Sequence, residues 1–458
     1  MSMDEHGCTL SEREARREQA TEEVLRQAHD NDVKFVRMWF TDVLGVLKSF
    51  AITAEVLEDA LENGRGFDGS SIQGFARIDE SDKMAMPDPN TFTMLPWRGN
   101  DAPVARLICD VQHPDGRPYE FDPREVLKLQ LRRAEEKGYI YYVGPELEYF
   151  YFQDKTAPPV TLDDGGYFDL TPLDVAADLR RDTVMTLQEM GIKVDYSHHE
   201  VAPSQHEIDL DYTDALTMAD HAMTYRLVVK EVAMRHGVHA TFMPKPIGEE
   251  NGSGMHVHQS LFSGESNAFF DAGDPENLST TARQFIAGLL AHAREITLVT
   301  NQWVNSYKRL IPGYEAPVYI SWALKNRSDL IRIPGYQPGN EKATRLEYRS
   351  PDPACNPYLA FAVMLAAGLE GMEKGYELGD AVEENCYEMG PERRAELGIG
   401  SLPGSLREAT DEAEASDLVR RALGEELHGK LIENKRLEWA RYRAQVTSWE
   451  LDEYLAVL

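Results

Sequence analysis

Several short segments of this chain place chemically capable side chains two residues apart. YYVGPELEYFYF carries Glu146 and Glu148 around Leu147, MHVHQSLF carries His256 and His258 around Val257, and TRLEYRSP carries Arg345, Glu347 and Arg349 around Leu346 and Tyr348. Alternate side chains on a β-strand share a face, so each segment predicts a strand with acid, imidazole or guanidinium on one side and apolar groups on the other. HHEVAPSQHEIDL adds Glu200 and Glu207 on either side of a proline-containing turn. A single face of this kind is what a half-exposed strand shows. The set is different, because a solvated face in so acidic a chain would mix Lys, Glu, Thr and Asp, whereas these hold only Glu, His and Arg beside apolar neighbours. Buried charges must be paired or metal-bound. Glu146, Glu148, Glu200, Glu207, Glu347 and His256 make an oxygen-rich set that suits a hard divalent ion, Mg²⁺ or Mn²⁺.

A second signal concerns anions. Between Asn305 and Arg349 stand Lys308, Arg309, Lys325, Arg327, Arg332, Lys342, Arg345 and Arg349 against Glu315, Asp329, Glu341 and Glu347, a local excess of 8 − 4 = +4. Arginine matches phosphate and carboxylate bidentately. A divalent ion with an arginine cluster equips a site to stabilise a transferring phosphoryl group. No Walker loop is present, and the NGSG turn at Asn251–Gly254 would let a backbone approach a ligand closely.

The elements that must position these groups follow from the rest of the chain. Its 458 residues, 42% of them hydrophobic, suffice for two or three domains, and a net charge of 47 − 78 = −31 makes nucleic acid and anionic membrane poor partners. The four cysteines lack zinc or disulfide spacing, the N-terminus has no apolar signal core, and the longest apolar run, 358–369, is too short for a bilayer, so a cytoplasmic protein is expected. A helix over 11–30 leads into strands at 33–40 and 44–52. NGRGFD and MPDPN read as turns and 104–111 as a strand, giving a small α+β domain ending near residue 120. Asp122 with Pro123 then starts a helix that Gly138 stops. Beyond it strands alternate with helices expected at 172–190, 214–236, 279–301 and 357–374. Met234, Met243 and Met255 read as core, and His198 and His199 as structural.

Seven motifs in order, GFDGSSI (66–72), GPELEYF (144–150), HHEVAPSQHEID (198–209), NGSGMHVHQSL (251–261), NSYKRLIPGYEAP (305–317), NRSDLIRIP (326–334) and RLEYRSPDPACNPY (345–358), resemble those of the type I glutamine synthetases. The resemblance implies an α+β fold: a small β-grasp-like domain with a leading helix over 1–120, and over 121–458 a guanidino-kinase-like catalytic domain whose curved antiparallel sheet walls a funnel. It implies ATP-dependent ligation of ammonium to L-glutamate through γ-glutamyl phosphate. By position Glu148, Glu200 and Glu207 would hold one metal and Glu146, His256 and Glu347 another. Asn251, Gly252, Arg309, Glu315 and Arg349 would grip glutamate, and His258, Ser260, Arg327, Arg332 and Arg345 would serve the nucleotide. Asp68, which takes a proton from ammonium, would act with Glu315 and Arg327 in catalysis. It would do so in a neighbouring subunit of a homododecamer of two stacked hexamers.

The sequence departs from the pattern in three places. Leu147 and Tyr149 replace Pro and Phe, a change expected to affect packing, and Ser204 stands where glycine is usual. Tyr387 lies in the region that the adenylylated branch modifies, but its NCYEMGPE context and the seven-residue Glu200–Glu207 spacing indicate the unmodified branch. Arg77 in GFARI stands where the shorter-spacing branch resembles feedback-inhibited enzymes, and a surface arginine paired with Asp79 or Glu80 is the equal alternative. Two other readings remain at this level: a ligase joining glutamate to ethanolamine or a polyamine, which would need a roomier pocket, and a non-catalytic relative, which would have no reason to keep these residues.

Overall fold

A computed structural model describes residues 7–70, 72, 82–98, 101–324 and 326–458; Arg77 and Lys325 lie outside them. Helices Leu10–Ala15, opened by a Thr9/Glu12 capping box, and Arg17–Asp30 precede a five-stranded sheet. Its strands are β1 Phe35–Thr41, β2 Leu47–Thr53, β3 Arg65–Asp68, β4 Asp82–Met94 and β5 Val104–Gln112, in the order β2-β1-β5-β4-β3. Only β1 and β5 run parallel. MPDPN is not a turn here: it lies inside β4, where Pro87 keeps register opposite Cys109 and an irregularity between Asp88 and Thr93 accommodates Pro89.

Helix Pro123–Glu136 begins as the sequence predicts, with Asp122 accepting the Arg124 N–H at 3.1 Å and Pro123 in the first turn. A larger sheet follows. Its long strands are β6 Ile140–Phe152, β7 Val194–His199 and β8 Gln205–Leu210, then β11 Met255–Ser263, with the short β9 Thr213–Asp214, β10 His239–Thr241 and β12 Ser266–Asn267 along them. Beyond β13 Tyr319–Ile320, which pairs with β17 Gly400–Ser401, come β14 Trp322–Ala323, β15 Ile331–Arg332 and β16 Leu346–Tyr348. The order β14-β15-β16-β11-β6-β8-β7 brings every chemically capable segment into one curved surface.

Behind that surface the apolar residues of the same strands are buried: Leu147, Tyr149, Val257, Leu346 and Tyr348 are each at most 1% exposed. Each such burial is worth about 1.5–3 kcal/mol and offsets the cost of a polar face turned inward. Leu147 and Tyr149 belong to this layer. Tyr149 packs on Tyr151, Tyr225 and Phe242, and Tyr225 Oη donates to the Leu147 carbonyl at 3.0 Å.

Three expected helices differ, the first being that over 11–30, which is divided at Arg16 into Leu10–Ala15 and Arg17–Asp30. The one over 172–190 forms only at Ala177–Glu189, because Asp174 holds the preceding turn by accepting the Ala176 N–H at 3.1 Å and pairing with Arg180. The one over 279–301 is divided at His292 into Thr280–Ala291 and Ala293–Thr300. Helices Ala215–Arg235 and Pro357–Lys374 stand where expected, the second capped by Asn356 and closed by left-handed Gly375. Met255 is core, but Met234 and Met243 are exposed. Among the described residues no helix is long and apolar enough to cross a membrane.

Candidate active site

Register places the acids. Glu146 on β6 lies opposite His256 on β11 and Asp209 on β8, Glu148 opposite Glu207, and on β16 Glu347 opposite both His258 and Arg332. These faces line a cavity of about 840 Å³ whose walls include Glu146, Glu148, Glu200, Glu207, His256 and Glu347, with Asn251, Gly252, Arg309, Glu315, Arg327, Arg332 and Arg349. Thirteen of the seventeen residues singled out from sequence thus converge. The other four do not line it. His258, Ser260 and Arg345 sit on or beside β11, and Asp68 is exposed at the end of β3, its carboxylate accepting the Ser70 N–H at 2.8 Å.

Two metal-capable groups stand out. In the first, His256 Nδ1 lies 3.1 Å from Glu146 and 3.6 Å from Glu347. Glu347 is fully buried between Arg332 and Arg349; although burial pushes its pKa up, Arg349 holds it down at about 2. His258 Nε2 binds Glu146 at 2.6 Å while its Nδ1 accepts from Arg345 Nε at 3.2 Å, which fixes the Nε2–H tautomer.

In the second, His198 lies 3.3 Å from Glu207 and 3.6 Å from Glu200. His198, read from sequence as structural, therefore joins the acids, and Tyr167, Phe168 and Tyr196 wall it in. Glu148 stands beside this group, accepting from Gln205 at 2.8 Å and from the Gly254 N–H at 3.0 Å. Burial, with mutual repulsion, raises Glu148 to about 7, Glu200 to about 8 and Glu207 well above the carboxylate range. Oxygen donors this crowded fit a divalent cation.

Asp209 was missed from sequence, although it keeps period two with Glu207. It is 5% exposed, and its Oδ1 is buried without a hydrogen-bond partner.

Arginines adjoin the acids, with Arg332 and Arg349 both paired to Glu347. Arg349 is 7% exposed and its buried Nε has no partner, a donor fitted to an anion. Arg309 is committed to the carbonyls of Ser350 at 2.7 Å and of Pro351 and Arg349 at 3.2 Å, so it fixes the segment bearing Arg349. The NGSG turn lies against Arg309, Glu148 and His256, and Gly252 and Gly254 are crowded there. A Cβ on Gly252 would lie 2.2 Å from the Pro244 carbonyl, and one on Gly254 2.6 Å from Arg309 Nη2. Asn251 donates to Glu315 at 3.3 Å across the mouth.

A strand-built carboxylate and arginine pocket, in a chain that also carries a separate small five-stranded sheet, has clear relatives. Family models described as "Glutamine synthetase, catalytic domain" and "Glutamine synthetase, beta-Grasp domain" match residues 120–454 and 32–114. Curated glutamine synthetases of Mycolicibacterium smegmatis and Methanosarcina mazei are each 53% identical, covering 95% of this chain and 98% of theirs. That of Halobacterium salinarum is 51% identical over 94% and 96%. A solved GmaS/ADP complex superposes with a TM-score of 0.86 at 33% identity, covering 94% of this chain and 99% of the other. The chain belongs to the glutamine synthetase family. It is accordingly an ATP-dependent ligase with an α+β fold and a β-grasp domain at its N-terminal side.

Proposed function

We propose that the cavity joins ammonia to L-glutamate with ATP, giving glutamine, ADP and phosphate through γ-glutamyl phosphate. The observation that carries this reading is the convergence of five largely buried glutamates and His256 with Arg332 and Arg349 on one cavity. Glutamine synthetases at 50–53% identity over almost the whole chain support it, and the GmaS likeness is more distant at 33%.

Glu146, His256 and Glu347 would hold one divalent ion, Mg²⁺ or Mn²⁺, and Glu148, Glu200 and Glu207, with His198 at their edge, another. When bound, such ions neutralise the negative charge of the phosphates during transfer. Arg349, with Asn251 and Gly252, binds the glutamate, and Arg309 keeps Arg349 in place. Arg327, Arg332 and Arg345 counter phosphate charge, while His258 and Ser260 serve the nucleotide end. Glu315, held by Asn251, closes over the acyl phosphate and keeps water from it.

Asp68 reaches the cavity of a neighbouring copy and there takes a proton from ammonium, desolvated among Asp68, Glu207 and Glu315. That arrangement makes the enzyme a ring, in our reading a dodecamer in the cytoplasm. Tyr387, whose hydroxyl donates to the Ala316 carbonyl at 3.0 Å, stays unmodified in this reading on the ground of its NCYEMGPE context.

The test is phosphate release from ATP with Mg²⁺ and L-glutamate, comparing ammonium with ethanolamine, putrescine and spermine. Release with ammonium, with glutamine as product, is expected. Release only with an amine, or none with any donor, would overturn the proposal.

A further inference from the structure

The turn joining β7 to β8 carries Glu200 at its start and delivers Glu207 just beyond its end, so its shape sets the spacing of two acids in the second cluster. That shape is unusual. Ser204 is fully buried at φ +60°, a left-handed conformation that glycine enters freely and other residues rarely adopt.

The surroundings explain why serine can stay there. Its N–H donates to Asp163 Oδ1 at 2.8 Å, and its Oγ accepts the N–H groups of Leu162 at 2.7 Å and Asp163 at 3.1 Å. Its carbonyl accepts the Tyr151 N–H at 3.0 Å, tying the turn to β6. Asp163 Oδ1 also accepts from His199 Nε2 at 3.1 Å, and His199 Nδ1 donates to the Glu200 carbonyl at 2.7 Å. A closed circuit thus runs from Ser204 through Asp163 and His199 to Glu200. Gly165 leaves room for it, since a Cβ there would lie 2.8 Å from His199 Nε2. The loop holding Asp163 goes on to place Tyr167 in the cavity wall and Phe168 against His198.

Asp163, His199 and His206 are close enough to hold a cation themselves, but their hydrogen bonding excludes it. Both nitrogens of His199 face acceptors. Arg180 donates to His206 Nδ1 at 2.8 Å, which leaves Nε2 protonated.

We propose that Ser204, Asp163 and His199 are positioning residues that fix the Glu200–Glu207 spacing and thereby set ion affinity at that cluster alone, not at Glu146–His256–Glu347. This rests on the metal role proposed above for Glu200 and Glu207. The experiment titrates Mn²⁺ alone into the full-length protein, followed by electron paramagnetic resonance, with thermal stability measured in parallel. Groups that orient metal ligands typically contribute about 10- to 100-fold to affinity. Ser204→Ala, Asp163→Asn and Gly165→Ala should weaken one class of Mn²⁺ site by about that factor and leave the other class unchanged. Asn277→Gly, at another residue of positive φ, should change neither class.

Unchanged Mn²⁺ binding in a folded Ser204→Ala or Gly165→Ala variant would overturn the proposal, as would equal weakening of both classes. Glu207→Gln separates the two readings. If it abolishes one class while Ser204→Ala and Gly165→Ala bind normally, only the positioning role fails; if it too leaves both classes intact, the metal role of the cluster fails with it.

Discussion

Glu347 shows how much one side chain can be asked to do. It is fully buried, accepts from Arg332 and Arg349, and faces His256. Removing it would strip the first cluster of an oxygen and leave two guanidiniums unpaired. Glu347→Ala should lower kcat/KM by about 10²–10³-fold, the usual cost of losing one preorganised electrostatic group, and should weaken nucleotide binding; unaltered metal dependence and nucleotide affinity would refute the assignment. Gly254→Ala tests the packing of the cavity without removing a charge. Its Cβ would press on Arg309 Nη2 and crowd Glu148 and His256, so overpacking of about 1–3 kcal/mol should appear as a higher KM for glutamate together with weaker divalent-ion binding. At this scale most of the site was legible, because period-two alternation of Glu, His and Arg with apolar residues is visible in the letters themselves. What was not legible was partnership. His198 looks in the sequence like its neighbour His199, and only the pleat shows that the first joins the acids while the second turns away to Asp163.

Elements are held to one another by a charged knot around Arg124, near the start of helix Pro123–Glu136. Its guanidinium binds Asp220 on helix Ala215–Arg235 twice, at 3.0 and 2.9 Å, with Asp110 of β5 at 2.6 Å and Asp88 of β4 at 2.7 Å. All four residues are largely or wholly buried, so breaking the knot strands carboxylates away from water. Arg124→Met should therefore cost about 3–5 kcal/mol, read as a lower urea midpoint. The knot also fixes a pH dependence. Burial pushes Asp88 up, but Arg13 and Arg124 outweigh it and hold its pKa far below the ordinary value. A carboxylate depressed on folding contributes stability that is fully present above its unfolded pKa of about 3.9 and is lost as pH falls towards its folded pKa. Urea midpoints of the wild type should fall steeply below about pH 4, and less steeply in Arg124→Met; parallel curves would contradict this. Caps and stops were readable in the sequence, as Asp122 with Pro123 and Asn356 with Gly375 show. MPDPN was not: its prolines and Asn90 spell a turn, yet β5 alongside and the Arg124 knot beneath hold the segment in a strand through a bulge.

The whole molecule poses the question of where Asp68 acts. It does not line the cavity of its own chain. Asp68→Ala should leave assembly and ATP binding intact while lowering ammonia-dependent turnover by about 10²–10⁴-fold, the range of general-base contributions. Mixing settles the geometry. When Asp68→Ala and Glu347→Ala chains are denatured and reassembled together at equal amounts, random pairing across an interface should make about a quarter of the sites fully wild type. Recovered activity would show that sites are shared between chains, and its absence would place Asp68 elsewhere. Such sharing demands that each chain be stiff, and the join between its two sheets is built accordingly. The turn between β1 and β2 is caught by Asn356, which donates to the Asp42 and Val43 carbonyls at 3.2 Å, and by Gln302, which donates to the Leu44 carbonyl at 2.9 Å. With the Arg124 knot, these contacts leave neither sheet a complete surface of its own. The small sheet is therefore not a detachable module: the two halves should melt as one cooperative unit, and a nick between them would release neither as a folded piece.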